Sequence, residues 1–171
     1  MTQEQLETKY QELCITPSDI NQHLPILREY ADKCNHITEM GVRGCVSLHA
    51  FLVSKAKTVI AIDISATAVP CVDKLTFIVA DDLKIEIEPT DFLFIDTMHN
   101  YVQLKQELAL HAHRVSKYIG FHDTFYFGIN GDDGGKGLLP AINEFLEMYK
   151  EWKIVYQTDK NNGLTIIEKL R

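Results

Sequence analysis

Between residues 36 and 123 the chain carries five short apolar runs, each closing on an acidic residue. They are His36-Ile37-Thr38-Glu39, Thr58 to Asp63, Leu75 to Asp81, Asp91 to Asp96 and Lys117 to Asp123. Strands buried on both faces need such continuous apolar stretches, because helices cover the sheet above and below. The segments between the runs, most clearly Val102 to Val115, suit crossover helices. This alternation predicts an α/β fold with a doubly wound, mostly parallel sheet. Ligands of such sheets gather beyond the carboxyl ends of the strands. Glu39, Asp63, Asp81, Asp96 and Asp123 are therefore expected along one rim.

The two ends of the chain read differently. Residues 3 to 13 suit a polar helix that stops at Thr16-Pro17, with Ser18 or Asp19 capping a short turn. Pro25 fits the first turn of a second helix, in which Ile26, Leu27 and Tyr30 are apolar positions. Near the C-terminus, Trp152 to Thr158 and Leu164 to Lys169 flank Asp159-Lys160-Asn161-Asn162-Gly163. Asn-Gly favours a tight turn, so these runs predict an antiparallel hairpin closing the sheet. The expected organisation is one domain over residues 1–171, with an N-terminal helical segment (1–35) and a core (36–171).

Composition narrows the function. The formal charge is −7 over 171 residues, with Lys and Arg scattered. A nucleic-acid partner would call for a basic patch. No apolar run approaches the roughly 20 residues of a membrane span. The polar start MTQEQLETKYQEL does not resemble a signal peptide. Cys14, Cys34, Cys45 and Cys71 form no CxxC pair, which fits a reduced, cytoplasmic protein.

The loop from Glu39 to Ser47 follows the first strand and opens a helix. Gly41 and Gly44 allow close backbone approach to a ligand, and the helix start offers free N–H groups. Asp63, 24 residues past Glu39, can accept both hydroxyls of a ribose. Asp81 and Asp82 end the third run, where a carboxylate or an N–H can meet an adenine edge. Taken singly, each of these carboxylates also reads as a solvated strand end. Together they point to a nucleoside cleft. This order of motifs resembles the class I S-adenosylmethionine (SAM)-dependent methyltransferases, from about His36 to the C-terminus. The resemblance implies a Rossmann-like fold and an acidic-x-Gly-x-x-x-Gly loop, matched by Glu39 and Gly41, with Cys45 at the final glycine position and Gly44 supplying the freedom. It makes Asp63 the ribose-binding acid and Asp81 the adenine-side residue, with Ser47, Asp82 and Asp96 also at the cofactor. Only 18 residues separate Asp63 from Asp81, so the helix between them should shrink to a turn or two.

A second constellation lies in Phe92 to Tyr101 and Gly120 to Thr124. Asp96 and the His122-Asp123 pair should meet at neighbouring strand tips, where two carboxylates and an imidazole can hold Mg²⁺ or Mn²⁺. A hydroxyl is a poor nucleophile, and a metal lowers its pKa and fixes its oxygen. His99 can take the hydroxyl proton. These motifs resemble the metal-dependent O-methyltransferase branch with macrolide sugar O-methyltransferases and cephalosporin-hydroxylase-type proteins. That resemblance implies Asp96 and Asp123 as metal ligands, His122 as a third, His99 as general base, and a saccharide or other small-molecule acceptor. Thr124 to Gly137 reads as a mobile lid whose Phe125, Tyr126 and Phe127 can line the acceptor pocket, with Asp132 and Asp133 solvated. His111 and His113 are expected at the surface. A metal-independent methyltransferase, a SAM-binding module without catalysis and a homo-oligomer all stay open. A nicotinamide oxidoreductase would need the GxGxxG that this loop lacks.

Overall fold

The computed structural model describes residues 1–170. Two helices come first, α1 (Gln3–Ile15) and α2 (Leu24–Ala31), the latter with proline in its first turn. The core follows as β1 (His36–Met40), α3 (Val46–Val53), β2 (Thr58–Asp63), β3 (Leu75–Val79), β4 (Thr90–Ile95), α4 (Tyr101–His111), β5 (Val115–His122) and α5 (Leu138–Met148). The hairpin β6 (Trp152–Thr158) and β7 (Leu164–Lys169) ends the chain. The sheet order is β3-β2-β1-β4-β5-β7-β6; the first five strands are parallel, and β7 is antiparallel to both β5 and β6.

Each central strand is buried on both faces. Phe92 and Phe94 of β4 join Leu6, Tyr10, Leu24, Leu27, Leu48 and Phe51 of α1, α2 and α3 in one core. Leu93 and Ile95 join Leu104, Leu108, Ile142 and Phe145 of α4 and α5 in the other. The alternation of strand side chains thus feeds two layers, which explains why the runs are apolar throughout. The order reverses between β1 and β4, and at that switch point the loops after adjacent strands diverge to leave a crevice. Among the described residues no helix is long and apolar enough to cross a membrane.

Three expectations change. The β2–β3 connection contains no helical turn at all. Pro70 lacks a backbone donor, and β-branched Thr67, Val69 and Val72 crowd a helix, so the segment runs as a loop to the turn at Asp73-Lys74. β3 stops at Val79, and Asp81 instead caps a single 3₁₀ turn, Asp82–Lys84, by accepting from the Leu83 N–H at 3.0 Å. His111 is buried, not exposed; its Nε2 lies 2.9 Å from the Asp82 carbonyl oxygen, so it donates there, while His113 is exposed.

Candidate active site

Gly41 joins the loop after β1 to the loop after β4. Its φ is +82°, and a Cβ at this position would lie 1.9 Å from the Asp96 carbonyl oxygen. Only glycine fits there. Arg43 (φ +38°) and Cys45 (φ +60°) adopt the left-handed region themselves. Gly44 does not, and a Cβ on it would meet nothing within 4 Å. The expected conformational freedom at Gly44 is therefore taken at its two neighbours. Contacts to the loop after β2 hold them there: Thr67 Oγ1 donates to the Arg43 carbonyl at 3.0 Å, and the Cys45 thiol to Ala68 O at 3.6 Å.

Asp63 ends β2 beside this loop. Its Oδ2 accepts from the Val42 and Arg43 N–H groups at 2.8 and 3.0 Å, and its Oδ1 from the Ser65 N–H at 2.8 Å. Burial opposes its charge, but these three donors outweigh it and hold its pKa below the ordinary value. A cleft of about 720 Å³ opens along the rim, lined among others by Gly41, Arg43, Asp63, Asp81, Asp82, Asp96, His99 and Asp132. That volume is in the range of small-molecule sites.

Glu39, Ser47 and Gly44 do not line this cleft. Glu39 is fully buried and accepts from the Ser47 hydroxyl, and burial pushes its pKa up to about 8. Gly44 is exposed outside the cleft.

Asp96 and His99 line this cleft, and together with Asp123, which lies behind its lining, each brings one donor atom within 4.8 Å of the others. His99 Nε2 lies 2.9 Å from Asp123 Oδ2 and 3.3 Å from Asp96 Oδ1. His122 Nδ1 faces the same oxygens at 3.4 and 3.2 Å, and its Nε2 lies 3.0 Å from the Asp19 carbonyl oxygen. A carbonyl only accepts, so Nε2 carries the proton. Burial disfavours charge on both rings, yet the two carboxylates prevail and raise the pKa values to about 9 for His99 and about 10 for His122. Both carboxylates are lowered in turn: burial works against them, and the two imidazoles overcome it. Asp123 is held at φ +58°, and its Oδ1 is buried without a hydrogen-bond partner. An orphaned carboxylate oxygen beside two further carboxylate and imidazole donors fits a hard divalent cation.

The segment Thr124 to Gly137 contacts His99 through Asp132 and Phe127. The Asp132 N–H donates to the His99 carbonyl at 3.2 Å, while Asp132 Oδ2 accepts from the His99 N–H at 3.0 Å. Phe127 stacks on the His99 ring with centroids 4.8 Å apart, and Tyr126 packs edge-on against Phe127. Phe125 and Tyr126 are exposed.

Several contributors lie outside the expected motifs. Glu107 on α4 is fully buried, accepts from Thr97 Oγ1 at 2.5 Å and from Gln103 Nε2 at 2.9 Å, and is raised well above its ordinary pKa by burial and by nearby Asp82. Asn161, in the hairpin loop, accepts from the Gln22 N–H at 2.8 Å and donates to Ser18 O at 2.6 Å, fixing the turn that carries Asp19. No local pattern announces either residue: one is a lone acid on an apolar helix face, and the other acts across 139 positions of sequence.

No family model and no curated protein matches the chain. Solved structures do match it. A Corynebacterium glutamicum protein aligns over 99% of this chain and 89% of its own, with TM-score 0.69 and 13% identity. The MycE methyltransferase of the mycinamycin biosynthetic pathway, solved with Mg and S-adenosylhomocysteine (SAH), aligns over 99% of this chain at 17% identity and TM-score 0.69. The present chain spans 55% of MycE. An SAH-bound Podospora anserina methyltransferase aligns over 99% of this chain and 86% of its own, with TM-score 0.62 and 16% identity. The chain thus has the Rossmann-like methyltransferase fold, with N-terminal helices and a C-terminal antiparallel pair.

Proposed function

We propose that this single-domain chain is a SAM-dependent O-methyltransferase, assisted by Mg²⁺ or Mn²⁺, acting on a hydroxyl of a sugar or other polyhydroxylated small molecule. The observation carrying this reading is the meeting of Asp96, His99 and Asp123, the first two of which line the same cleft as Asp63 and Asp81. In this reading Asp63 accepts the ribose hydroxyls, the Asp81–Leu83 turn meets the adenine, and Gly41, by letting the loops after β1 and β4 pack together, shapes the wall beside the methionyl part. Glu39 and Ser47 shape the loop from beneath.

Asp96 and Asp123 would hold the cation. His122 suits the third position through Nδ1, because its other nitrogen is spent on the Asp19 carbonyl, which sets tautomer and ring orientation. When bound, such a cation supplies Lewis acidity and a fixed attachment for an acceptor hydroxyl. A bound cation would offset the Asp96 and Asp123 charges that raise the His99 pKa, and the neutral ring, less enclosed than His122 and bordering the cleft, would then take the hydroxyl proton. Phe127 and the Asp132 contacts set its orientation. Alignment of the hydroxyl oxygen with the methyl group is the main source of acceleration. Exposed Tyr126 offers an aromatic surface near His99 for the apolar face of an acceptor. MycE was also solved with Mg, SAH and mycinamycin VI, which supports a hydroxylated acceptor by analogy of fold.

The test is transfer of labelled methyl from SAM to a panel of glycosides and polyols, in chelator and after Mg²⁺ add-back. The reading expects transfer that chelator stops and Mg²⁺ restores. Undiminished transfer in chelator rejects the cation. SAM binding without SAH formation across the panel leaves a binding module only.

A further inference from the structure

The cleft is acidic, with Asp63, Asp81, Asp82, Asp96 and Asp132 on its walls. Against these stands one permanent cation among its described lining residues, Arg43. Resting on the SAM reading above, we propose that the Arg43 guanidinium binds the carboxylate of the cofactor's amino-acid end and so selects SAM over nucleosides that lack it.

The charge balance requires such a group. SAM carries a sulfonium, an ammonium and a carboxylate. Acidic walls favour the two cations and repel the anion, unless one positive group meets it. The position of Arg43 also fits. Its backbone N–H donates to Asp63 Oδ2, the ribose end of the cleft, at 3.0 Å. Its side chain reaches away to Asp19 Oδ2 at 2.6 Å, and Asp19 is the residue whose carbonyl orients His122 at the reaction centre. Its pKa is held above the ordinary value first by the Asp19 contact and also by the charges of Asp96 and Asp123. Arg43 thus lines the same cleft as Asp63, Asp96 and His99, and its guanidinium is near enough to feel the charges of Asp96 and Asp123.

Arg43 is available for this role. Its side chain is 82% exposed in the Asp19 pair, and a pair so exposed binds weakly and exchanges readily. The planar fork that now meets one carboxylate can meet another. The backbone supports the assignment: Arg43 sits at φ +38°, a conformation a side chain adopts only when surrounding structure imposes it.

The experiment is calorimetric titration of the intact protein, without acceptor, using SAH and its decarboxylated analogue, S-adenosyl-3-thiopropylamine. Wild type is expected to prefer SAH by about 10- to 100-fold, the range for hydrogen bonds to a charged group. Arg43→Ala should lose that factor for SAH while binding the analogue as wild type does, and Arg43→Lys should keep part of the preference. A preference that persists in Arg43→Ala, or a wild type that binds both ligands equally, overturns the proposal. If wild type binds neither ligand, the SAM reading fails and the role of Arg43 falls with it.

Discussion

Replacing Gly41 by alanine probes the joint on which both ends of the cleft depend. The new Cβ would lie 1.9 Å from Asp96 O and 2.6 Å from Asp96 C, both backbone atoms at the end of β4. It would also hold alanine at φ +82°. The left-handed conformation costs about 1–2 kcal/mol. Displacing a packed strand end costs about 1–3 kcal/mol more. The sum is about 2–5 kcal/mol, which for a chain of 171 residues means a Tm lowered by roughly 4–20 °C. Because the displaced atoms carry Asp96, SAH affinity should fall in the same variant. Gly44→Ala is the internal control: its Cβ meets nothing and its φ is not left-handed, so its Tm should stay near that of wild type. Differential scanning calorimetry with SAH titration reads both. A Gly41→Ala variant that melts within about 1 °C of wild type and binds SAH equally would refute the packing argument.

Two further outcomes follow from the site. His99→Ala should abolish methyl transfer while leaving SAH affinity nearly unchanged, whereas Asp63→Ala should weaken SAH first; initial rates and calorimetry together distinguish them. Glu39 keeps its proton up to about pH 8 when folded but only to its ordinary value of 4.5 when unfolded. Between those values the unfolded chain binds fewer protons, so wild-type stability should fall as pH rises. Glu39→Gln, which does not ionise, should show a flatter profile in thermal melts from about pH 5 to pH 8, and identical profiles would contradict a buried, protonated Glu39.

Local signals made the sheet legible. Apolar runs such as Asp91 to Asp96 correspond to β4 because a strand covered on both faces has no polar side to show. Asp63, Asp81 and Asp96 likewise line one cleft, since parallel strands present their carboxyl ends together, whereas Glu39 is buried away from it. What stayed hidden depends on tertiary geometry. His111 follows Leu104 and Leu108 on α4, and only the docking of Asp82 against that helix end buries it. The left-handed turn at Cys45 could not be read from its residue type, because contacts from Thr67 and Ala68 impose it. Asn161 holds Ser18 in place from the opposite end of the chain, and the neighbouring Asp19 carbonyl meets His122, a relation that spacing does not encode.

Crystals grown with Mn²⁺ and SAH, with anomalous diffraction collected at the manganese edge, address the adjacency of nucleoside and cation directly. The account predicts a manganese peak between the Asp96 and Asp123 carboxylates, with the ribose of the same SAH beside Asp63. A nucleoside bound away from Asp63, or manganese bound only at surface carboxylates, would contradict it.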